Sequence, residues 1–138
     1  MNEAAIVVYK NEVLLSASLG EPGHVEFNFD EVWRVHKEMP LDLKELKWIH
    51  CHPIGCKPIY SHTDLNCARG LKLAFGEIGS FGIISFKYVG YWNLSFDCEW
   101  YVLDGNNNLV KSEDRYIREK WICLLKTLAI LGSRKNGD

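Results

Sequence analysis

Lys47-Trp48-Ile49-His50-Cys51-His52-Pro53, followed by Ser61-His62-Thr63-Asp64, is the stretch on which the reading of this chain turns. Lys47-Trp48-Ile49 looks like a strand nearing its end. Strand side chains alternate, so His50 and His52 fall on one face and Cys51 on the other. Pro53 has no N–H to give to a ladder and is expected to end the strand. Residues 54–60 make a polar loop containing Gly and Pro, and a helical pattern opens at Ser61 with Asp64 in its first turn. Two imidazoles on one strand face, met by a carboxylate from the next helix, are three protein ligands of the kind catalytic zinc takes. The fourth position is then left for water.

Outward from this stretch the chain reads as a mixture of strands and helices. Ala4 to Tyr9 and Val13 to Leu19 are apolar runs separated by Lys10-Asn11-Glu12, which predicts an antiparallel hairpin. Gly20-Glu21-Pro22-Gly23 is a turn by composition. Val25, Phe27 and Phe29 alternate with Glu26 and Asn28, the pattern of a third, half-buried strand. Asp30 is placed to cap a helix carrying Val32, Val35, His36 and Met39, which Pro40 stops. The motif strand is then the fourth. A helix over Ser61 to Phe75 comes next, ended by Gly76 and Gly79. Phe81 to Val89 and Cys98 to Leu103 are strand-like, Gly90 to Asp97 fits either loop or strand, and Leu109-Val110 succeeds the Asp104-Gly105-Asn106 turn as a short strand. A C-terminal helix is expected over about residues 112–133, with Tyr116, Ile117, Trp121, Leu124, Leu125 and Leu128 as its apolar stripe. These elements predict an α/β (α+β) fold, a mixed sheet sandwiched by helices, in one domain over residues 1–138.

Composition narrows the function classes. Of 138 residues, 47% are hydrophobic and 25% charged, which is ordinary for a globular chain. A net charge of −2, with no Lys/Arg cluster, gives no reason to expect nucleic acid or an anionic membrane as partner. No apolar run approaches the roughly 20 residues that span a bilayer, and no secretory leader is evident. Five cysteines, an odd number without scaffold spacing, are expected to be reduced thiols in a cytoplasmic protein.

The spacing H-x-H-P-x₇-S-x-x-D resembles the signature of the JAMM (MPN-plus, JAB-type) zinc metalloprotease family. The match has no insertion or deletion, is strongest over residues 47–75 and extends more weakly over about residues 3–104. The resemblance implies an α-β-α sandwich of cytidine-deaminase-like architecture and a bound Zn2+ held by His50, His52 and Asp64. It also implies a deubiquitinase-like peptidase or isopeptidase acting on protein substrates, such as the C-terminal tail of a ubiquitin-like protein or a precursor protein. Family members usually place a helix ahead of a Glu-bearing first strand; here the C-terminal helix is expected to take that place. The rival class is a catalytically inactive MPN-type scaffold that retains its metal.

Individual residues carry bland readings beside these sharp ones. An isolated H-x-H is more often a pair of satisfied structural histidines than a ligand pair; the full spacing favours ligation. Ser61-x-x-Asp64 is close to a helix capping box, which is compatible with Asp64 also reaching a metal. The resemblance gives Ser61 the further task of donating to the carbonyl oxygen under attack. By the same resemblance Glu3, heading the first strand, is the general base, with Glu12, Glu21 and Glu26 as rivals. Cys51 should face away from the metal into the core. Cys56 stands in the loop as a further ligand, a redox-sensitive thiol or an inert residue. His62 either faces the cleft or is a solvated helix-start residue. Trp92, Trp100 and Tyr101 read as core or rim aromatics.

Overall fold

Alternation along the strands divides the buried side chains into two sets, and the helices settle on the sheet accordingly. A computed structural model describes residues 3–20, 26–90, 93–113 and 116–135, with side chains through 131. β1 (Ala4–Tyr9) and β2 (Val13–Leu19) form the expected hairpin, closed by Lys10 and Asn11 at φ 52° and 57°, the left-handed pair of a tight turn. β3 (Leu46–Cys51) runs antiparallel to β1, with Ala5 opposite His50. β4 (Ser80–Gly90) lies parallel to β3, and β5 (Asn93–Leu103) and β6 (Leu109–Lys111) continue the sheet antiparallel. The sheet order is β2-β1-β3-β4-β5-β6. Parallel neighbours need a crossover, and α2 (His62–Phe75) supplies it between β3 and β4.

One face of the sheet presents Ala5, Val7, Trp48, Phe81 and Ile83 to α1 (Phe29–Glu38) and α2, which bury Val32, Ala68, Leu71 and Phe75 there. The other presents Ile6, Val8, Ile49, Ile84 and Trp100 to α3 (Glu119–Lys135), which buries Trp121, Ile122, Leu125 and Ala129. The result is a mixed six-stranded sheet with helices on both faces, the expected α+β class. Trp100 crosses its strand neighbour so closely that a Cβ on Gly82 would stand 2.5 Å from the indole. Only glycine fits there without moving a fully buried ring. The Trp121 indole N–H donates to the Asn11 carbonyl at 3.0 Å, and Arg118 and Lys120 pair with Glu12, which ties α3 to the hairpin. Among the described residues no helix is long and apolar enough to cross a membrane.

Three expectations need correction. Residues 26–28 form no strand, so the motif strand is the third rather than the fourth. Phe27 packs edge-on against Trp48 and Phe81 above the sheet, and Asn28, rather than Asp30, caps α1 by accepting from the Glu31 N–H at 3.3 Å. That cap makes Phe29 the first helical residue, and its ring stays half exposed. The C-terminal helix begins at Glu119 rather than 112, because the Ser112 N–H bonds to the Trp100 carbonyl at 2.7 Å and prolongs the β5–β6 ladder. Tyr116 and Ile117 therefore precede the helix, which continues past 133 to Lys135. Gly90 to Asp97, open between loop and strand, belongs largely to the long β4–β5 hairpin. Tyr91, Trp92, Glu21 to Val25 and residues 136–138, with the turn and frayed end expected there, lie outside the described residues.

Candidate metal centre

The centre forms where β3 ends and α2 begins. Leu46, Trp48 and His50 share the α2 face of β3, as strand alternation requires. Cys51 points the other way into the α3 core, where its Sγ accepts from the Ala4 N–H at 3.2 Å. Burial pushes the Cys51 thiol up to about 11, so it stays protonated and inert. His52 stands just past the strand, its N–H donating to the Ile84 carbonyl at 2.9 Å. Eight residues after Pro53, Ser61 opens α2 as its N-cap.

The cap is reciprocal. Ser61 Oγ accepts from the Asp64 N–H at 3.1 Å, and Asp64 Oδ2 accepts from the Ser61 N–H at 2.8 Å. This turns the Asp64 carboxylate back toward β3, where Oδ1 lies 2.9 Å from His50 Nε2 and Oδ2 lies 3.1 Å from His52 Nε2. One donor atom from each residue falls within 4.8 Å of the others. The expected cap role of Asp64 holds, and the same carboxylate stands between the two imidazoles.

Burial alone would raise the Asp64 pKa. The hydrogen bonds from His50 and His52, the charge of His50 and the Ser61 N–H outweigh it and hold the carboxyl well below the usual range. Burial pulls the His52 pKa down, but the hydrogen bond and charge of Asp64, the Lys57 carbonyl and the charge of Glu3 together raise it. Two stability effects result for the metal-free chain. The His52 contribution is full below about pH 6.5, the unfolded value, and is lost as pH rises through the raised folded value. The Asp64 contribution is present above about pH 3.9 and is lost only as strong acid protonates it. The melting temperature in chelator is thus expected to fall as pH climbs above about 6.5. A metal on the imidazole displaces that proton, so the metal-loaded chain should lose this slope, and thermal scans with and without metal compare the two.

Glu3 comes to the same place from the first strand. Carrying the β1–β3 register from Ala5 opposite His50 two residues onward sets Glu3 opposite His52. Its side chain is only 7% exposed, and its charge acts on both His52 and Cys51. It is not one of the three clustered donors. The rivals stand elsewhere: Glu12 is committed to Arg118 and Lys120 at the far end of β1, and Glu26 is exposed beside Cys67. Glu21 lies outside the described residues.

Ser61 is exposed, and its role as cap acceptor leaves the hydroxyl proton available to donate. His62 is exposed too, in keeping with a solvated helix start, and so is the Cys56 thiol. Trp100 and Tyr101 are core residues on opposite faces. Beside the centre a groove of about 490 Å³ runs along α2 between Thr63, Cys67, Leu71 and Ala74 on one wall and Phe27 and Phe29 on the other.

Sequence reasoning missed Phe27, whose ring lies 5.9 Å from that of His50, and Ser85, fully buried on β4. Ser85 had a signal: it is the lone hydroxyl in the apolar run Ile83-Ile84-Ser85-Phe86. Two nitrogens and a carboxylate, oriented by a strand end and a helix cap, make a donor set suited to a metal ion. No protein-family model matches the chain, and no curated protein matches it.

Proposed function

We propose that this chain is a zinc-dependent hydrolase of amide bonds, a peptidase or isopeptidase whose substrate is the tail of a ubiquitin-like protein or a precursor protein. The observation that carries the reading is Asp64 seated between the Nε2 atoms of His50 and His52, with Glu3 buried beside them. His-His-carboxylate is a donor set of catalytic zinc, and it occurs here in the H-x-H-P-x₇-S-x-x-D spacing of the JAMM family. Helices on both faces of a mixed sheet are compatible with that family's α-β-α sandwich, and α3 packs against β1.

In this reading His50, His52 and Asp64 hold the ion. When bound, zinc polarises the scissile carbonyl and lowers the pKa of water toward ~7. The Glu3 carboxylate accepts a proton from the attacking water and returns it to the leaving amine. The Ser61 hydroxyl donates to the carbonyl oxygen as charge gathers on it, a contribution that reaches about 3 kcal/mol only where bound substrate covers this exposed serine from water. Phe27 packs edge-on against the His50 ring, and the groove along α2 offers apolar wall to the chain being cut.

Metal analysis of the purified chain, coupled to a cleavage screen on ubiquitin-like fusions, tests this. The expected result is one equivalent of zinc and cleavage that chelator stops and added zinc restores. Stoichiometric zinc without chelator-sensitive cleavage would instead favour the scaffold. No zinc at all would overturn both.

A further inference from the structure

His50 and His52 are oriented by different means. The His50 ring is wedged between Phe27 and Phe81, and its Nδ1 has no hydrogen-bond partner among the described residues. His52 instead has Nδ1 3.2 Å from the carbonyl oxygen of Lys57. A carbonyl can only accept, so this contact requires the proton on Nδ1 and assigns Nε2 to the Asp64 side.

Lys57 sits in a loop without regular secondary structure, and nothing in the loop alone would aim its carbonyl. The sheet does so from beneath. Ser85 on β4 donates its hydroxyl to the Cys56 carbonyl, and Tyr101 on β5 donates its hydroxyl to the Pro58 carbonyl at 3.2 Å. The two clamped carbonyls bracket the one that meets His52. Both hydroxyls rise from the face that carries the metal cluster, and Ser85 comes directly after Ile84, whose carbonyl already holds the His52 N–H. Gly55, at φ 86°, adds a third tie by donating its N–H to the Phe86 carbonyl at 3.2 Å.

We infer that Ser85 and Tyr101 are positioning residues for His52: by clamping the carbonyls of Cys56 and Pro58 they aim the Lys57 carbonyl at Nδ1 and keep Nε2 presented to a metal ion. The inference rests on the metal reading of the centre. The Lys57 carbonyl is the group one step removed from the ligand, and losing such a partner typically changes metal affinity by about 10- to 100-fold, which sets the upper bound for loosening it through Ser85 or Tyr101.

The test uses the full chain and Co2+ alone as probe, with Ser85→Ala and Tyr101→Phe compared to the unaltered protein. Each variant is expected to bind Co2+ more than twofold and up to about 100-fold more weakly and to shift its visible absorption band. In the metal-free chain, 1H–15N spectra should show the His52 Nδ1 proton exchanging faster with water in both variants. Tyr101→Phe removes a single oxygen and keeps the ring against Tyr60, so it decides the matter if Ser85→Ala fails to fold. Variants that melt earlier but keep the band and the affinity within about twofold would overturn the positioning role while leaving the metal centre standing. An unaltered chain that takes up no Co2+ would overturn the centre and this inference together.

Discussion

Asp64→Ala is expected to leave the chain without bound metal. The carboxylate bridges both imidazoles, at 2.9 Å from His50 Nε2 and 3.1 Å from His52 Nε2, and its loss reduces three donors to two neutral rings. Zinc held by two neutral donors has lost the negative charge that offsets its own, so purification and dialysis should strip it. The substitution also removes half of the capping box, a hydrogen bond to a charged group that contributes about 1.5–3 kcal/mol, which would confuse loss of metal with loss of fold. Asp64→Asn separates the two. Its amide oxygen can still accept from the Ser61 N–H, so α2 keeps its start while the charge at the centre is gone. Elemental analysis for zinc, read beside the melting temperature of each metal-free variant, gives the answer. One full equivalent of zinc retained by either would overturn the assignment of Asp64 as ligand, and His52→Ala should behave like Asp64→Ala.

On the proposed hydrolase reading, Glu3→Gln should do the opposite, keeping zinc while hydrolysis falls by about 10²- to 10⁴-fold, the usual contribution of a positioned general base. Glutamine matches the shape of a side chain that is only 7% exposed, so folding should survive. It cannot take a proton from water. The loss should fall on kcat rather than KM, because Glu3 stands beside the donors and is not one of them. A variant that cleaves at full rate would move the base to another acid, and of the described rivals Glu26, which lines the groove along α2, is the first to try.

What could be read from the sequence was what is local. Strand alternation placed His50 and Cys51 on opposite faces, and the Ser61-x-x-Asp64 spacing located the helix cap, because both depend on residues a few positions apart. Misplaced elements failed mainly for reasons that lie on other elements. Ser112 looks like a helix start until the Trp100 carbonyl, on a neighbouring strand, claims its N–H. Phe27 and Phe29 alternate like a strand, but Phe27 finds its contacts on Trp48 and Phe81, and the Asn28 cap commits the residues from Phe29 onward to a helix. The Lys57 contact to His52 was invisible in principle, since a main-chain carbonyl leaves no mark in the residue string. The position of Glu3 depended on an antiparallel register that brings together residues 3 and 52, which no periodicity encodes.

The crossover that carries the chain from β3 through α2 to β4 has a developmental consequence. All three clustered donors lie within residues 50–64, a segment whose closure needs little chain entropy, whereas Glu3 arrives only when the first strand docks along the third. On the proposed reading, a maturing chain would capture its ion before it could cut anything. Competence would then await the late, long-range zippering of the amino-terminal hairpin, which keeps half-formed copies harmless to their surroundings.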